Sequence, residues 1–427
     1  MDTVLKSTGK HPEQLLFLLL AAIGFFIPLY SPMAHGLTYI VFLFFILFII
    51  LRRKVFPSPL PKAKILTLLG IGLFLLTLCY LFFTQNKKEV YIQLDQFTAI
   101  LVFPLLLLII PSRQSFTKPL YWITNLFVLG TLLSTLKLFI QALYRYQESG
   151  DIVELYYINL GNGIHPSYMS IMVLLSLAIL LERPLFAKRK EGSTSLLYQL
   201  PLIIWLLLFN TLLASKAGIL TEVIILMLYI VKSLLHRRYV KAFAIGILTT
   251  FFTATIPFLF PFTKERILQF NESISSSREA KRIAELDQME NSRVVGWRVA
   301  IQLIKKHPLW GVGPGDIGPL INEASEKRYR VTDGFRNPHN QYLQTWLEQG
   351  LLGLIILISI GIISLIMALQ DRNYLHMAFL ILLFSHMLFE SILERRLGII
   401  TFSFWNSLFW IKNLSGKRRD IPVERKT

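Results

Sequence analysis

The sequence predicts an all-α membrane protein, with about twelve transmembrane helices and one large polar loop, itself partly helical, between the ninth helix and the tenth. Three observations carry this. Of 427 residues, 54% are hydrophobic and the mean hydropathy is +0.54, above the about 45–50% apolar content of ordinary soluble domains. Apolar blocks recur along nearly the whole chain rather than gathering in one region. Lysine and arginine crowd into every second connection between blocks, as the positive-inside rule requires of a multi-pass protein.

Taken in order, the apolar blocks run over 15–30, 37–51, 65–83, 97–110, 119–143, 167–181, 197–213, 218–235, 242–262, 351–369, 374–393 and 397–411. Several fall short of the roughly 20 residues of a straight span and borrow flanking residues or thin the bilayer. The organisation is therefore 1–262 as transmembrane helices 1–9, 263–350 as the polar loop, 351–412 as helices 10–12 and 413–427 as a basic tail. The first block has the length of a signal peptide, but no small-residue cleavage site follows it, so it reads as an anchor. The basic segments RRKVFPSPLPKAK, ERPLFAKRK, KSLLHRRYVK and KNLSGKRRDIPVERKT lie on one side, with both termini, and are cytoplasmic; residues 263–350 then face outward. The net charge of +18 is thus a matter of topology, and nucleic acid is not a partner; the bilayer is. Cys79 is the sole cysteine, which excludes an intrachain disulfide and a cysteine metal site.

The loop concentrates the polar chemistry. Residues 272–290 read as a solvated helix, and Asn291 or Ser292 caps a second one. Val294, Trp297, Ile301 and Ile304 form an apolar stripe on that helix, suited to lying on the membrane surface. Arg293 sits at the edge of the stripe and Arg298 points elsewhere; both read either as phosphate ligands or as lipid-headgroup anchors. The sequence HPLWGVGPGD ends the helix in turns that bring backbone close to a ligand. Asn337-Pro338 signals a further helix start, placing His339 in its first turn, on a face with Tyr342 and Trp346. There the helix dipole disfavours imidazolium, and a neutral imidazole takes a proton from a hydroxyl as a general base. The plainer reading of His339 is a cap or an interface residue. His165 reads as a cap of the sixth span, and Lys216 lies in the short turn ASKAG. No metal-ligand spacing, P-loop or G-x-S-x-G occurs, so neither a metal nor an organic cofactor is expected.

Two stretches, SRVVGWRVAIQLIKKHPLWGVGPGD and NPHNQYLQTWLEQGLLGL, resemble the signature of the bacterial O-antigen ligase family, which includes O-antigen ligases, O-antigen polymerases and O-linked oligosaccharyltransferases. The resemblance implies a C-type membrane glycosyltransferase of the inner membrane with a periplasmic active site. It implies a glycan donor on undecaprenyl pyrophosphate, an acceptor hydroxyl on lipid A core, another glycan or a protein, and no metal ion. The family's essential histidine matches His339, and its arginine at the start of the amphipathic helix matches Arg293. A further family arginine, in a Ser-Arg-Gly-like turn, matches Lys216 of Ser215-Lys216-Ala217-Gly218; lysine keeps the charge but loses the planar fork. Arg293, Lys216 and Arg298 are the expected substrate-binding residues, and His339 the catalytic one. The competing classes are a lipid-linked glycan transporter, for which internal symmetry is missing, and a protein that binds polysaccharide without reacting.

Overall fold

In hydrocarbon, backbone N–H and C=O groups find partners only within their own segment, so apolar blocks of this length fold as helices. The computed structural model describes residues 12–51, 61–110, 116–185, 195–252, 288–329 and 337–416, and these are all-helical, without a strand. The helices are α1 (Pro12–Leu29), α2 (Ser31–Leu51), α3 (Pro61–Tyr80), α4 (Lys87–Gln96), α5 (Thr98–Ile109), α6 (Thr117–Ser149), α7 (Tyr157–Gly161), α8 (Pro166–Glu182), α9 (Ser195–Leu212), α10 (Lys216–Leu235), α11 (Tyr239–Thr250), α12 (Gln288–Lys306), α13 (Ile317–Tyr329), α14 (Gln341–Gln370), α15 (Tyr374–His386) and α16 (Arg396–Gly416). Residues 253–287, which include half of the ninth apolar block and most of the expected solvated helix, and the tail 417–427 lie outside the described residues.

Five helices, α2, α3, α6, α10 and α14, are long and apolar enough to cross a membrane, and α4 with α5 makes a sixth candidate bent by 42°. The remaining apolar helices α1, α8, α9, α11 and α15 are shorter. The protein is a multi-pass membrane protein, and its outer surface says so independently. Leu352, Ile355, Ile362, Ile366 and Leu369 stand exposed along α14, as do Leu220, Ile224, Met227 and Val231 along α10. Helix faces this apolar suit contact with lipid.

Burial sorts the helices. Helix α8 is apolar all round and every residue from Pro166 to Leu181 is buried, which puts it at the centre of the bundle. Helix α16 joins it in the interior through Trp405 and Trp410, the two largest fully buried side chains. Around these, α1 packs on α6, α3 on α5, α10 on α15, and α14 lies between α3 and α15. Interior hydroxyls either close on their own helix, as Thr131 does to the Phe127 carbonyl, or pair across helices, as Ser176 does to Thr131.

The stretch from α12 to the start of α14 builds a second, smaller core. Val295, Val299, Ala300, Leu303 and Ile304 of α12 bury against Ile317 and Ile321 of α13 and Leu347 of α14. This corrects the expected membrane-facing stripe. Ile304 belongs to the packed face, but Ile301 is exposed, because the partner of α12 is protein, and the 295/299/303 face meets it. Helix α12 also begins at Gln288, upstream of the expected caps Asn291 and Ser292.

Candidate active site

Two backbone breaks position the polar end of the bundle. Helix α14 is two helices joined at Gly350, whose φ of 66° and ψ of −167° are not helical. The turn His307–Asp316 inserts at that break. Val312 N–H donates to the Leu347 carbonyl, Gly313 N–H to Glu348, and Leu351 N–H to Pro308 and Leu309. A Cβ at Gly350 would overlap the Leu309 carbonyl oxygen, and one at Gly311 (φ 72°) the Leu347 carbonyl. The glycines of HPLWGVGPGD and LEQG are thus the two halves of one backbone crossing, which explains why both motifs carry them.

The NPHNQ stretch makes a second knot. Asn340, not Asn337, caps α14, its Oδ1 accepting from Tyr342 and Leu343 N–H. Its amide donates to the Leu388 carbonyl, Gln341 N–H donates to the Met387 carbonyl, and Gln341 Oε1 accepts from Leu393 N–H at 2.6 Å. Asn337 Nδ2 reaches Glu394 at 2.5 Å while its Oδ1 accepts from His339 N–H. These bonds tie the start of α14 to residues 387–394, the connection from α15 to α16.

His339 therefore stands before the helix, with φ of 46°, rather than in its first turn. The expected placement fails because Asn337 makes a local turn and hands the capping role to Asn340. What holds the imidazole is a carboxylate. Its Nδ1 lies 3.2 Å from Glu390 Oε2; Glu390 is 6% exposed and His339 37%. The buried carboxylate calls for a proton on Nδ1, which leaves Nε2 as the basic nitrogen. Among the described residues no hydrogen bond occupies Nε2. Glu390 Oε1 lies 3.9 Å from His165 Nε2, and His165 caps α8 through Nδ1, as expected from the sequence, with Pro166 following it.

Lys216 joins this cluster. It is the first residue of α10, half-buried, with Ser215 Oγ capping the helix at Gly218 N–H. It lines a crevice with Tyr157, Ser167, Ser215, Phe389 and Glu390. Two residues on, Gly218 packs closely on α8, and a Cβ there would press on the Ser170 side chain. Ser170 donates to Asn210 at 2.5 Å, and Asn210 to Glu222 at 2.6 Å, a buried polar chain beneath the crevice. The structure thus brings together Lys216, His165, Glu390 and His339, which run from position 165 to position 390 of the sequence. Arg298 is exposed on α12, away from its packed face. Arg293 belongs to α12, but its side chain lies outside the described residues.

Glu390 is the site residue that the sequence reading missed. It follows an apolar helix, carries no motif, and becomes legible only once its contact with His339 is seen. Further along α14, Glu348 accepts from Gln344 at 2.5 Å and from Gln93 at 3.1 Å, and Gln349 donates to Thr77 and to the Leu73 carbonyl. These motif glutamines and this glutamate fasten α14 to α3 and α4.

Residues 201–358, a little over a third of the chain, match the family model described as O-antigen ligase. No curated protein matches the sequence. The matched stretch contains Lys216, α12, the glycine-proline turn and His339, whereas His165 and Glu390 lie outside it. Over that stretch the chain is similar to the O-antigen ligase family.

Proposed function

We propose that the protein transfers a glycan from undecaprenyl pyrophosphate to an acceptor hydroxyl at the periplasmic face, with inversion and without a metal ion, and that the acceptor is lipid A core. The single observation that carries this reading is the His339–Glu390 pair, with Nε2 left open and Lys216 in the adjoining crevice. His339 takes the acceptor's proton at Nε2 as the hydroxyl oxygen attacks the anomeric carbon. The bond from that carbon to the phosphate oxygen breaks, and undecaprenyl pyrophosphate leaves with the electron pair. Lys216, and Arg293 from α12, hold the pyrophosphate and stabilise the charge it gains; Arg298 is a further cation for the donor's headgroup. Glu390 fixes the imidazole tautomer and stabilises the imidazolium that forms. One displacement inverts the carbon, and no paired carboxylates call for a glycosyl-enzyme intermediate.

The topology that serves this chemistry has about twelve spans, both termini cytoplasmic and residues 263–350 periplasmic, because basic residues crowd the opposite connections. Reporter fusions at residues 275 and 427 test it: a phosphatase reporter inactive at 275 and active at 427 overturns the orientation. The chemistry is tested by reconstituting the purified protein with labelled undecaprenyl-pyrophosphate glycan and lipid A core. Release of undecaprenyl pyrophosphate with glycan on the core is expected. Movement of glycan across the bilayer without release would identify a transporter instead.

A further inference from the structure

Helices α8 and α10 start beside the candidate active site, at His165 and Lys216. The 17 residues of α8 carry its other end about 25 Å away, at 1.5 Å per residue. There, around Glu182, lysines converge from three further helices: Lys232 in the last turn of α10, Lys241 in the first turn of α11 and Lys412 near the end of α16. Lys232 Nζ lies 2.5 Å from Glu182 Oε2 and 4.9 Å from the centre of the Tyr374 ring, at the start of α15. Lys241 Nζ donates to the Leu181 carbonyl at 2.6 Å. Lys412 lies in the electrostatic field of Glu182, Asp371 and Lys232, and its Nζ has no hydrogen-bond or ion-pair partner among the described residues.

The charges do not balance. Among the described residues the cluster has two carboxylates, Glu182 and Asp371, and Asp371 already accepts from Asn413 Nδ2. The cations are the three lysines and Arg238, which adds its field at Lys241. Arg183, next after Glu182, removes none of the excess: it turns to α6, where it bonds the Asn125 side chain and the Tyr121 carbonyl and lies over the Tyr121 ring, all neutral groups. The positive-inside bias accounts for basic residues in connections, where they reach water. It does not account for Lys232, Lys241 and Lys412, which are half-buried and belong to helices. A lysine at a helix end ordinarily snorkels its ammonium into water, yet Lys241 turns inward to a carbonyl. Half-buried cations in excess of their carboxylates cost free energy unless an anion joins them.

The surroundings select the anion. Leu235, Tyr239, Val240 and Phe243 flank Arg238 and Lys241 where α10 gives way to α11, and they are 69%, 63%, 85% and 71% exposed. Apolar side chains this open suit acyl chains, and a phosphate free in water gains nothing from them. Basic pockets between helix ends, on the side where lysine and arginine collect, take anionic lipid headgroups. We propose that the end of the bundle around Glu182 binds an anionic phospholipid of the phosphatidylglycerol kind. Its phosphodiester sits among Lys232, Lys241 and Lys412, and its acyl chains lie along the exposed residues of α11. One headgroup then ties the ends of α8, α10, α11 and α16 together. The lipid is neither donor nor acceptor in the transfer reaction, and its binding stands apart from that reaction.

The test titrates the full-length protein, in a neutral detergent, with dioleoyl phosphatidylglycerol, dioleoyl phosphatidylcholine or glycerol 3-phosphate. Bound lipid is counted by native mass spectrometry, and the unfolding temperature is followed in parallel. Phosphatidylglycerol should bind in preference to phosphatidylcholine and raise the unfolding temperature by mass action, and glycerol 3-phosphate should not raise it. Lys412→Gln should weaken phosphatidylglycerol binding about fivefold, the worth of one lysine beside an anionic headgroup, and Lys241→Gln with Lys412→Gln about 30-fold. Lys412→Arg should bind close to the native affinity. Lys88→Gln removes the same charge from an exposed position on α4 and should leave binding unchanged. The unfolding temperature without lipid reports whether each variant folds; if the double variant does not, Lys412→Gln decides, because its Nζ holds no internal contact that the change could break. Native affinity in Lys412→Gln, an equal loss in Lys88→Gln, or equal binding of phosphatidylcholine overturns the proposal. Stabilisation by glycerol 3-phosphate as large as that by phosphatidylglycerol identifies a free-phosphate site and overturns the lipid assignment.

Discussion

Replacing Glu390 by glutamine separates the shape of the site from its charge. The side chain keeps its volume and a hydrogen-bond acceptor for His339 Nδ1, so the ring stays in place. What is lost is a full negative charge beside an imidazole that becomes positive in the transition state. Two unit charges about 4 Å apart interact by ~4 kcal/mol at an effective dielectric constant of about 20. Glu390 is 6% exposed, but His339 is 37% exposed, and solvent screening of the open partner brings this to roughly 2–3 kcal/mol. At 1.36 kcal/mol per factor of ten, kcat falls by roughly 30- to 150-fold. Donor binding, which depends on Lys216 and Arg293, stays within a factor of about two to three, since the change is felt only as the proton moves. Glu390→Asp keeps the charge and should recover part of the loss. The assay is transfer from labelled undecaprenyl-pyrophosphate glycan in proteoliposomes, with donor affinity measured separately and thermal unfolding in detergent as a control for folding. A folded Glu390→Gln protein that transfers at the native rate refutes the role given to the carboxylate. So does one whose defect lies wholly in donor affinity.

His339→Ala should lower transfer by about 10²–10⁴-fold, the range for losing a general base, with donor binding retained; a native rate in the transfer assay removes His339 as the base. Arg293→Ala should abolish transfer and Arg293→Lys keep part of it, because the planar fork is lost, as measured by transfer at matched membrane levels. Lys216→Ala should be severe in the same assay and Lys216→Arg tolerated or better; an inactive Lys216→Arg with an active Lys216→Ala contradicts a phosphate-holding role. Gly350→Ala should cost about 1–3 kcal/mol from backbone strain alone and more from the overlap with Leu309, seen as a lowered unfolding temperature; an unchanged temperature contradicts the backbone crossing.

The pattern of apolar blocks by itself determined that this is a helical, multi-pass membrane protein, because a bilayer accepts little else and composition reports it directly. The motif residues likewise pointed to the polar segment around His339, since a chain this apolar tolerates glycines, prolines and a histidine in one place only for a reason of backbone geometry or chemistry. Single residues and their local order were enough for both. The partners of those residues were decided by the tertiary structure. Asn337 reads as a cap in isolation; the adjacent Asn340, with the 387–394 segment to bond, takes that role and leaves His339 outside the helix. The face of α12 was set by α13 and Leu347, which no periodicity within α12 encodes. The contact between His339 and Glu390 joins residues 51 positions apart. Contacts of that range depend on how helices cross in space, and hydrophobic periodicity along one helix carries no record of which neighbour it will meet.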